Sequence, residues 1–200
     1  MTKHLDIFLS IVVITATLYL AFTLLDRRVR VPLDVTESCN HAELINKILN
    51  NLMEGTDADR AYLFQFHDGI TGLAGNHFVK YTNTHEVCAP GISSEIMTLQ
   101  NLPISILAPT WLPKLENNTS FRLQTKDETH NQTRHILEDQ GIECMAIARV
   151  LFLGKLIGFV GIDYVHVHKA VACGHPTDFD PAQLEEAAYM IQSIITEVEQ

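Results

Sequence analysis

The chain's 200 residues, 46% of them hydrophobic, are enough for one domain with its own core and a short appendage. Its formal net charge is −10, and the acidic excess lies beyond residue 30, because the first 30 residues are net basic. A surface of that sign repels phosphate backbones and anionic lipid headgroups, so nucleic acid is excluded as an expected partner.

An uncharged apolar run, IFLSIVVITATLYLAFTLL, occupies residues 7–25. At about 1.5 Å per residue, a helix of this length nearly spans a hydrocarbon core of about 30 Å, which predicts a transmembrane helix. A cleaved signal peptide is the alternative. However, residues 1–4 are weakly basic, and the nearest small-x-small site, at residues 21–23, lies inside the run.

A basic flank follows the run. Arg27, Arg28 and Arg30 stand after it against one lysine before it, and this bias favours a cytosolic C-terminal side. The four cysteines are scattered without a CxxC pair, so reduced thiols are expected, in agreement with that orientation. The sequence therefore predicts a single-pass membrane protein, with an anchor and flank over residues 1–30 and a cytoplasmic domain over residues 31–200.

The first half of the domain predicts one helix and two strands. Residues 40–43 (NHAE) form a capping box, and apolar residues at helical spacing follow it. The aromatic-rich residues 61–66 predict a strand that stops at a turn over residues 67–69. A second strand is expected over residues 77–87. Residues 90–135 contain four prolines and short amphipathic pieces, which predict short helices and loops.

The last third predicts a helix, a hairpin and a closing helix. A helix is expected over residues 129–140, with the following glycine as its C′ residue. Residues 144–153 and 156–164 predict two strands joined by a Gly-Lys turn. Asp180 and Pro181 then open the final helix as N-cap and first helical residue.

This order of elements resembles the GAF domain, over residues 36–200. The strongest part is CMAIARVLFLGKLIGFVGIDY followed by FDPAQLEEAAYMIQSIITEVEQ, in which Gly158, Phe179 and Leu184 fit positions of the family's closing strand and helix. The resemblance implies an α/β (α+β) fold of the PAS/GAF sensor type. In such a fold a central antiparallel sheet carries helices on one face and a ligand pocket on the other, roofed by the variable insertion.

Four residues are candidates for that pocket. Gln65 and His67 share one face of the first predicted strand and are unusually polar for a central strand, so we expect this face to line the pocket. Asp163, near the end of the hairpin, is either solvated at the sheet edge or aimed into the pocket. Trp111 lies in the insertion, where a roof packing residue and a stacking platform are both open interpretations.

A histidine-rich loop holds weaker candidates for a metal site. His166, His168, Cys173 and His175 are ligand types that suit zinc. The loop has no fixed geometry and no CxxC pair, so a solvated loop is the favoured interpretation and no metal is expected.

No enzyme is expected, because serine-hydrolase, P-loop and dinucleotide fingerprints are absent from the sequence. The motif of the cyclic-nucleotide-binding GAF branch cannot be placed here. The bilin-binding branch needs a cysteine in the insertion, and none lies between Cys88 and Cys144. A redox enzyme of the free-methionine-sulfoxide-reductase type remains a less favoured alternative, which would need those two cysteines to cooperate.

We therefore expect a membrane-anchored GAF-like sensor that recognises a small ligand on its cytosolic side. No kinase, cyclase, phosphodiesterase or DNA-binding module follows the last helix, so signalling is expected through self-association, as a homodimer, or through a partner protein. The alternative is a protein interaction domain without a small ligand. The sequence names no cofactor, and the arrangement looks like small membrane proteins of bacteria and their phages.

Overall fold

The computed structural model describes residues 14–17, 35–71, 77–166, 169 and 181–197. The chain divides into two units, Met1–Ser38 and Cys39–Gln200. In the first unit, residues 14–17 are helical and exposed. None of the described helices is both long enough and apolar enough to cross a membrane. The rest of the predicted anchor lies outside the described residues.

Six strands form one antiparallel sheet in the second unit. They are β1 (Arg60–Thr71), β2 (His77–Cys88), β3 (Leu102–Pro103), β4 (Ser120–Gln124), β5 (Cys144–Phe152) and β6 (Lys155–Tyr164). Their order across the sheet is β3-β2-β1-β6-β5-β4, so β1 and β6 lie side by side at the centre although they come from opposite ends of the domain.

The helices lie on both faces of this sheet. They are α1 (Val35–Thr56), α2 (Trp111–Asn117), α3 (Asn131–Asp139) and α4 (Ala182–Glu197), with 3-10 turns at Ile104–Ile106 and Thr125–Asp127. On one face, the apolar stripes of α1 and α4 pack against small and aliphatic strand residues. Leu49, Leu63, Ile162, Leu184 and Ile191 are fully buried in this first core.

The other face carries an aromatic core beneath the insertion. Successive residues of a strand point to opposite faces, so Tyr62 and Phe64 lie on this face while Leu63 lies on the other. The ring of Phe64 stacks on Phe159 with their centroids 5.0 Å apart, and Trp111 meets Phe159 edge-on at 6.1 Å. The expected layout of a central antiparallel sheet between paired helices and a roofing insertion is therefore present.

Three parts of the fold differ from the sequence predictions. Helix α1 begins at Val35 rather than at the capping box. Strand β1 does not stop at residues 67–69, because pairing with β2 continues to Thr71. Residue 69 is glycine because β1 and β2 approach closely there, not because the chain turns. A Cβ at this position would lie 2.0 Å from the carbonyl oxygen of Phe78. Strand β4 was not predicted.

Candidate functional site

A cavity of about 50 Å³ lies between the aromatic face of the sheet and the insertion. Its floor comes from β1, β2, β5 and β6. Its roof comes from the chain between β2 and β5 that lies outside the sheet, mainly residues 99–111 and α3. Most of the lining is apolar, from side chains such as Phe64, Leu107 and Phe159. The polar lining residues are Tyr62, Tyr81, Asn83, Glu86, Thr133, Gln140 and Asp163.

A buried ion pair closes one end of the cavity. Arg60 and Asp163 are both 1% exposed, and the Arg60 Nε lies 3.0 and 3.1 Å from the two carboxylate oxygens of Asp163. The pair forms because residue 60 of β1 sits directly opposite residue 163 of β6. The guanidinium also donates to the carbonyl oxygens of Gln140, at 3.2 Å, and Ser93, at 3.5 Å. The pair thus joins the centre of the sheet to two parts of the roof.

The charges of this pair titrate differently from exposed groups. Burial raises the pKa of Asp163 to about 7, against the attraction of the Arg60 guanidinium, and the negative charges of Glu86 and Asp59 add to the increase. Burial lowers the pKa of Arg60, but the adjacent carboxylate of Asp163 outweighs it and raises that pKa overall. The guanidinium therefore stays charged throughout the physiological range.

Glu86 holds a further part of the roof in place. Its Oε2 accepts hydrogen bonds from the backbone N–H groups of Glu95, at 2.8 Å, and Ile96, at 3.0 Å, and from the hydroxyl of Ser94. Its Oε1 has only a long contact, 3.4 Å, with the side-chain nitrogen of Asn83. If the Asn83 amide is reversed, that nitrogen donates instead to two backbone carbonyls, so Oε1 loses even this contact.

Two tyrosine hydroxyls open onto the cavity. Tyr62 is 5% exposed and Tyr81 is 4% exposed, yet within the described part of the chain neither hydroxyl forms a hydrogen bond. Burial raises the pKa of both phenols, so both stay protonated. Tyr62 lies across β6 because residue 161 is glycine: a Cβ there would come within 2.2 Å of the Tyr62 ring.

Trp111 is a fixed wall of the cavity. Its indole N–H donates to the carboxylate of Glu128 at 2.8 Å. Glu128, itself buried, also accepts from the hydroxyl of Thr110 and the backbone N–H of His130. The polar group of Trp111 is therefore satisfied by the protein, and its ring is what faces the cavity.

The structure brings together two of the four predicted pocket residues. Trp111 and Asp163 line the cavity, whereas Gln65 and His67 do not. The face of β1 beneath the roof is the aromatic one, with Tyr62 and Phe64, rather than the predicted face. Gln65 instead borders a separate groove of about 140 Å³ beside the end of α4. His67 places its Nε2 2.9 Å from the hydroxyl oxygen of Thr82 on β2.

His166 is the described member of the predicted metal candidates. Its Nδ1 lies 3.0 Å from Asp59 Oδ1, and its backbone N–H donates to Asp59 Oδ2 at 2.9 Å. Although burial opposes it, hydrogen bonds from His166, Lys169 and Val165 lower the pKa of Asp59 to about 2. Residues 168, 173 and 175 lie outside the described residues, and the described ones contain no group of three metal-ligand side chains.

The cysteines depart from the expectation of reduced thiols at one position. Cys39 and Cys88 are free, whereas Cys144 is disulfide-bonded. Cys88 and Cys144 therefore do not pair with each other. Burial, with the negative charge of Glu86, raises the pKa of the Cys88 thiol to about 11, opposite to what a nucleophilic thiolate needs.

Solved structures of GAF domains are similar to this arrangement. The PixJ GAF domain of Thermosynechococcus elongatus in its blue-light-absorbing form matches with a TM-score of 0.56 and 9% identity, over 84% of this chain and 94% of that one. A GAF domain of Synechocystis in its photoproduct state matches with a TM-score of 0.57 and 12% identity, over 80% and 95%. A GAF domain/HD domain protein of Geobacter sulfurreducens matches with a TM-score of 0.56 and 12% identity, over 80% and 94%.

These similarities define the class of fold. At such identities they show the fold alone, so the domain has a GAF fold, mixed α+β with a six-stranded antiparallel sheet. No family model matches this sequence, and no curated protein matches it either. The function is therefore argued from the cavity and its side chains.

Proposed function

We propose that this protein is a sensory module that binds a small ligand in the cavity of its GAF fold. One observation carries the proposal: the hydroxyls of two buried tyrosines, Tyr62 and Tyr81, open onto a largely apolar cavity without a hydrogen-bond partner in the described residues. The described residues contain no sealed side-chain oxygen without a partner, so both hydroxyls are accessible from the cavity. A few polar groups that converge on an apolar cavity are the usual lining of a small-ligand site.

The role is binding rather than catalysis, because the strongest polar groups of the cavity are held in structural contacts. Asp163 is paired with Arg60, and one oxygen of Glu86 is used by residues 94–96. Both contacts end on the roof, so an occupant that shifts either carboxylate also shifts the segments it fastens. Ligand binding can in this way change the conformation of segments at the surface of the domain.

The signal leaves the domain through its helical face, by self-association as a homodimer or by docking of a partner protein. Support comes from large apolar side chains that α1 and α4 leave in solvent, namely Leu44, Tyr189 and Met190. The anchor at residues 1–30 places this module at a membrane, with the domain in the cytosol. That part of the proposal rests on the apolar run and the three arginines of the sequence.

Native mass spectrometry tests the proposed ligand directly. The full chain is purified without added ligand, released from detergent in the instrument, and its mass compared with that of the bare polypeptide. We expect a small-molecule adduct that disappears in Leu99→Trp, since Leu99 is half-buried at the cavity and a larger side chain there fills it. Met97→Trp is the matched control, because Met97 is 84% exposed and does not line the cavity.

An empty cavity would contradict the proposal. If the wild-type chain carries no adduct, and acquires none after incubation with a small-molecule extract of its host cells, the domain is an interaction module without a small ligand.

A further inference from the structure

The cavity has an unbalanced negative charge. Two carboxylates line it, those of Glu86 and Asp163, and no lysine, arginine or histidine is among its described lining residues. Asp163 is neutralised by Arg60, which lies behind it. Glu86 is bound by a hydroxyl and two backbone N–H groups, which are neutral donors. Glu86 therefore makes no direct ion pair among the described residues, although the charge of Arg60 attracts it at longer range.

The same end of the cavity has free capacity to accept hydrogen bonds. Glu86 Oε1 makes at most one long contact, and Tyr62 is its direct neighbour across the β1–β2 ladder. The hydroxyl of Tyr62 has no partner in the described chain, so its oxygen is available to an occupant. The rings of Phe64 and Phe159, stacked on each other, continue the floor away from this end. Aromatic faces attract cations as well as apolar groups.

From this arrangement we propose that the ligand is a small organic cation, an ammonium group on a compact apolar body, with its charge beside Glu86 and Tyr62 and its body on Phe64 and Phe159. The inference deepens the proposed function and rests on it. A buried cation requires a charged partner, and Glu86 supplies one. The cavity of about 50 Å³ is several times the roughly 10–15 Å³ that one water molecule requires, so it suits a compact body of a few heavy atoms.

Three probes of equal size separate charge from shape: isobutylammonium, isobutanol and propionate. Each is titrated into the full chain in detergent at constant ionic strength, and binding is followed by saturation-transfer NMR. We expect the cation to bind at least tenfold more tightly than the alcohol, and propionate to bind least. Equal binding of cation and alcohol, or a preference for propionate, would overturn the proposed charge while leaving a small-ligand function in place.

Variants then locate the charge. Glu86→Gln should weaken binding of the cation at least tenfold and change binding of the alcohol by no more than about twofold. Glu138→Gln, which removes an exposed carboxylate from α3, should change the affinity for neither probe. Because Glu86 also fastens residues 94–96, Tyr62→Phe is a second variant. It removes only a hydroxyl without a described protein partner, so the fold should persist while the cation binds several-fold less well.

The outcomes separate this inference from the proposed function. If none of the three probes binds but native mass spectrometry identifies a neutral or acidic adduct, the cation proposal fails and the sensor proposal stands. If none binds and the chain carries no adduct, both fail. A cation preference that Glu86→Gln and Tyr62→Phe leave unchanged would also overturn the proposed position of the charge.

Discussion

Phe64→Ala tests which face of β1 carries the aromatic core. Phe64 is buried, stacks on Phe159 at 5.0 Å and lies 5.5 Å from the rings of Tyr62 and Tyr81. Truncating a buried phenylalanine to alanine lowers the free energy of unfolding by about 3–5 kcal/mol, because hydrophobic transfer free energy is lost and a cavity is left behind. The three ring contacts place this site toward the upper end of that range.

His67→Ala is the matched control on the same strand. The His67 ring is half-exposed, and its contacts are the Thr82 hydroxyl at 2.9 Å and the Asp68 carbonyl oxygen at 3.2 Å. Losing hydrogen bonds of this kind costs about 0.5–1.5 kcal/mol. Urea unfolding of both variants can be followed by Trp111 fluorescence, because Trp111 is the only tryptophan and lies in the same core.

The void in Phe64→Ala adjoins the existing cavity, so the two merge into one larger apolar space. A small apolar molecule such as benzene should bind there and recover part of the lost stability, as a ligand does when it binds only the folded state. A loss no larger than that of His67→Ala, or no recovery with benzene, would refute the assignment of Phe64 to a packed core beside the cavity.

Three further predictions follow from the charges and the two-part organisation. Asp163 has a pKa of about 7 in the folded state against an ordinary 3.8, so between these values the folded state binds a proton that the unfolded state does not. The free energy of unfolding should therefore fall as pH rises from about 4 to about 7. Asp163→Asn should flatten that slope in urea unfolding, and an unchanged slope would contradict the raised pKa. A fusion of alkaline phosphatase after Gln200 should give low phosphatase activity, and a fusion of a fluorescent protein there should fluoresce brightly. The opposite result would contradict a cytosolic domain. It would also agree with the disulfide at Cys144, since disulfides persist in oxidising compartments. A fragment starting at Leu33 should unfold cooperatively in water, as heat or urea melts would show, and aggregation in every buffer would count against a self-contained domain.

Local patterns predicted much of the fold. Hairpin β5–β6 begins and ends within one residue of its prediction, because apolar runs broken by a glycine turn leave little choice. Helix α4 is equally marked by its proline start and apolar stripe. Strand β4 was missed because SFRLQ is five residues long and lies at the sheet edge, where β5 is its one partner among the described strands.

The site was harder to predict because it depends on contacts that are distant in sequence. Alternation along β1 separates Tyr62 and Phe64 from Leu63 and Gln65, but it does not say which set meets the helices. The face that meets α1 and α4 is the one whose strand residues are small or aliphatic, because these two helices pack closely against it. The Arg60–Asp163 pair joins residues 103 positions apart. Its signal in the sequence is an arginine opening one apolar strand and an aspartate ending another.

The central position of β1 also affects how the chain folds during synthesis. β1 pairs with β2 directly after it, but its other neighbour, β6, is made only after residues 89–154 have emerged. At about 5–20 residues per second, the inner edge of β1 waits roughly 4–15 s until β6 is complete. Throughout that interval an aromatic-rich strand has an open edge, which is a template for pairing with the wrong chain. The β1–β2 hairpin should therefore be the part of this protein that depends most on chaperones.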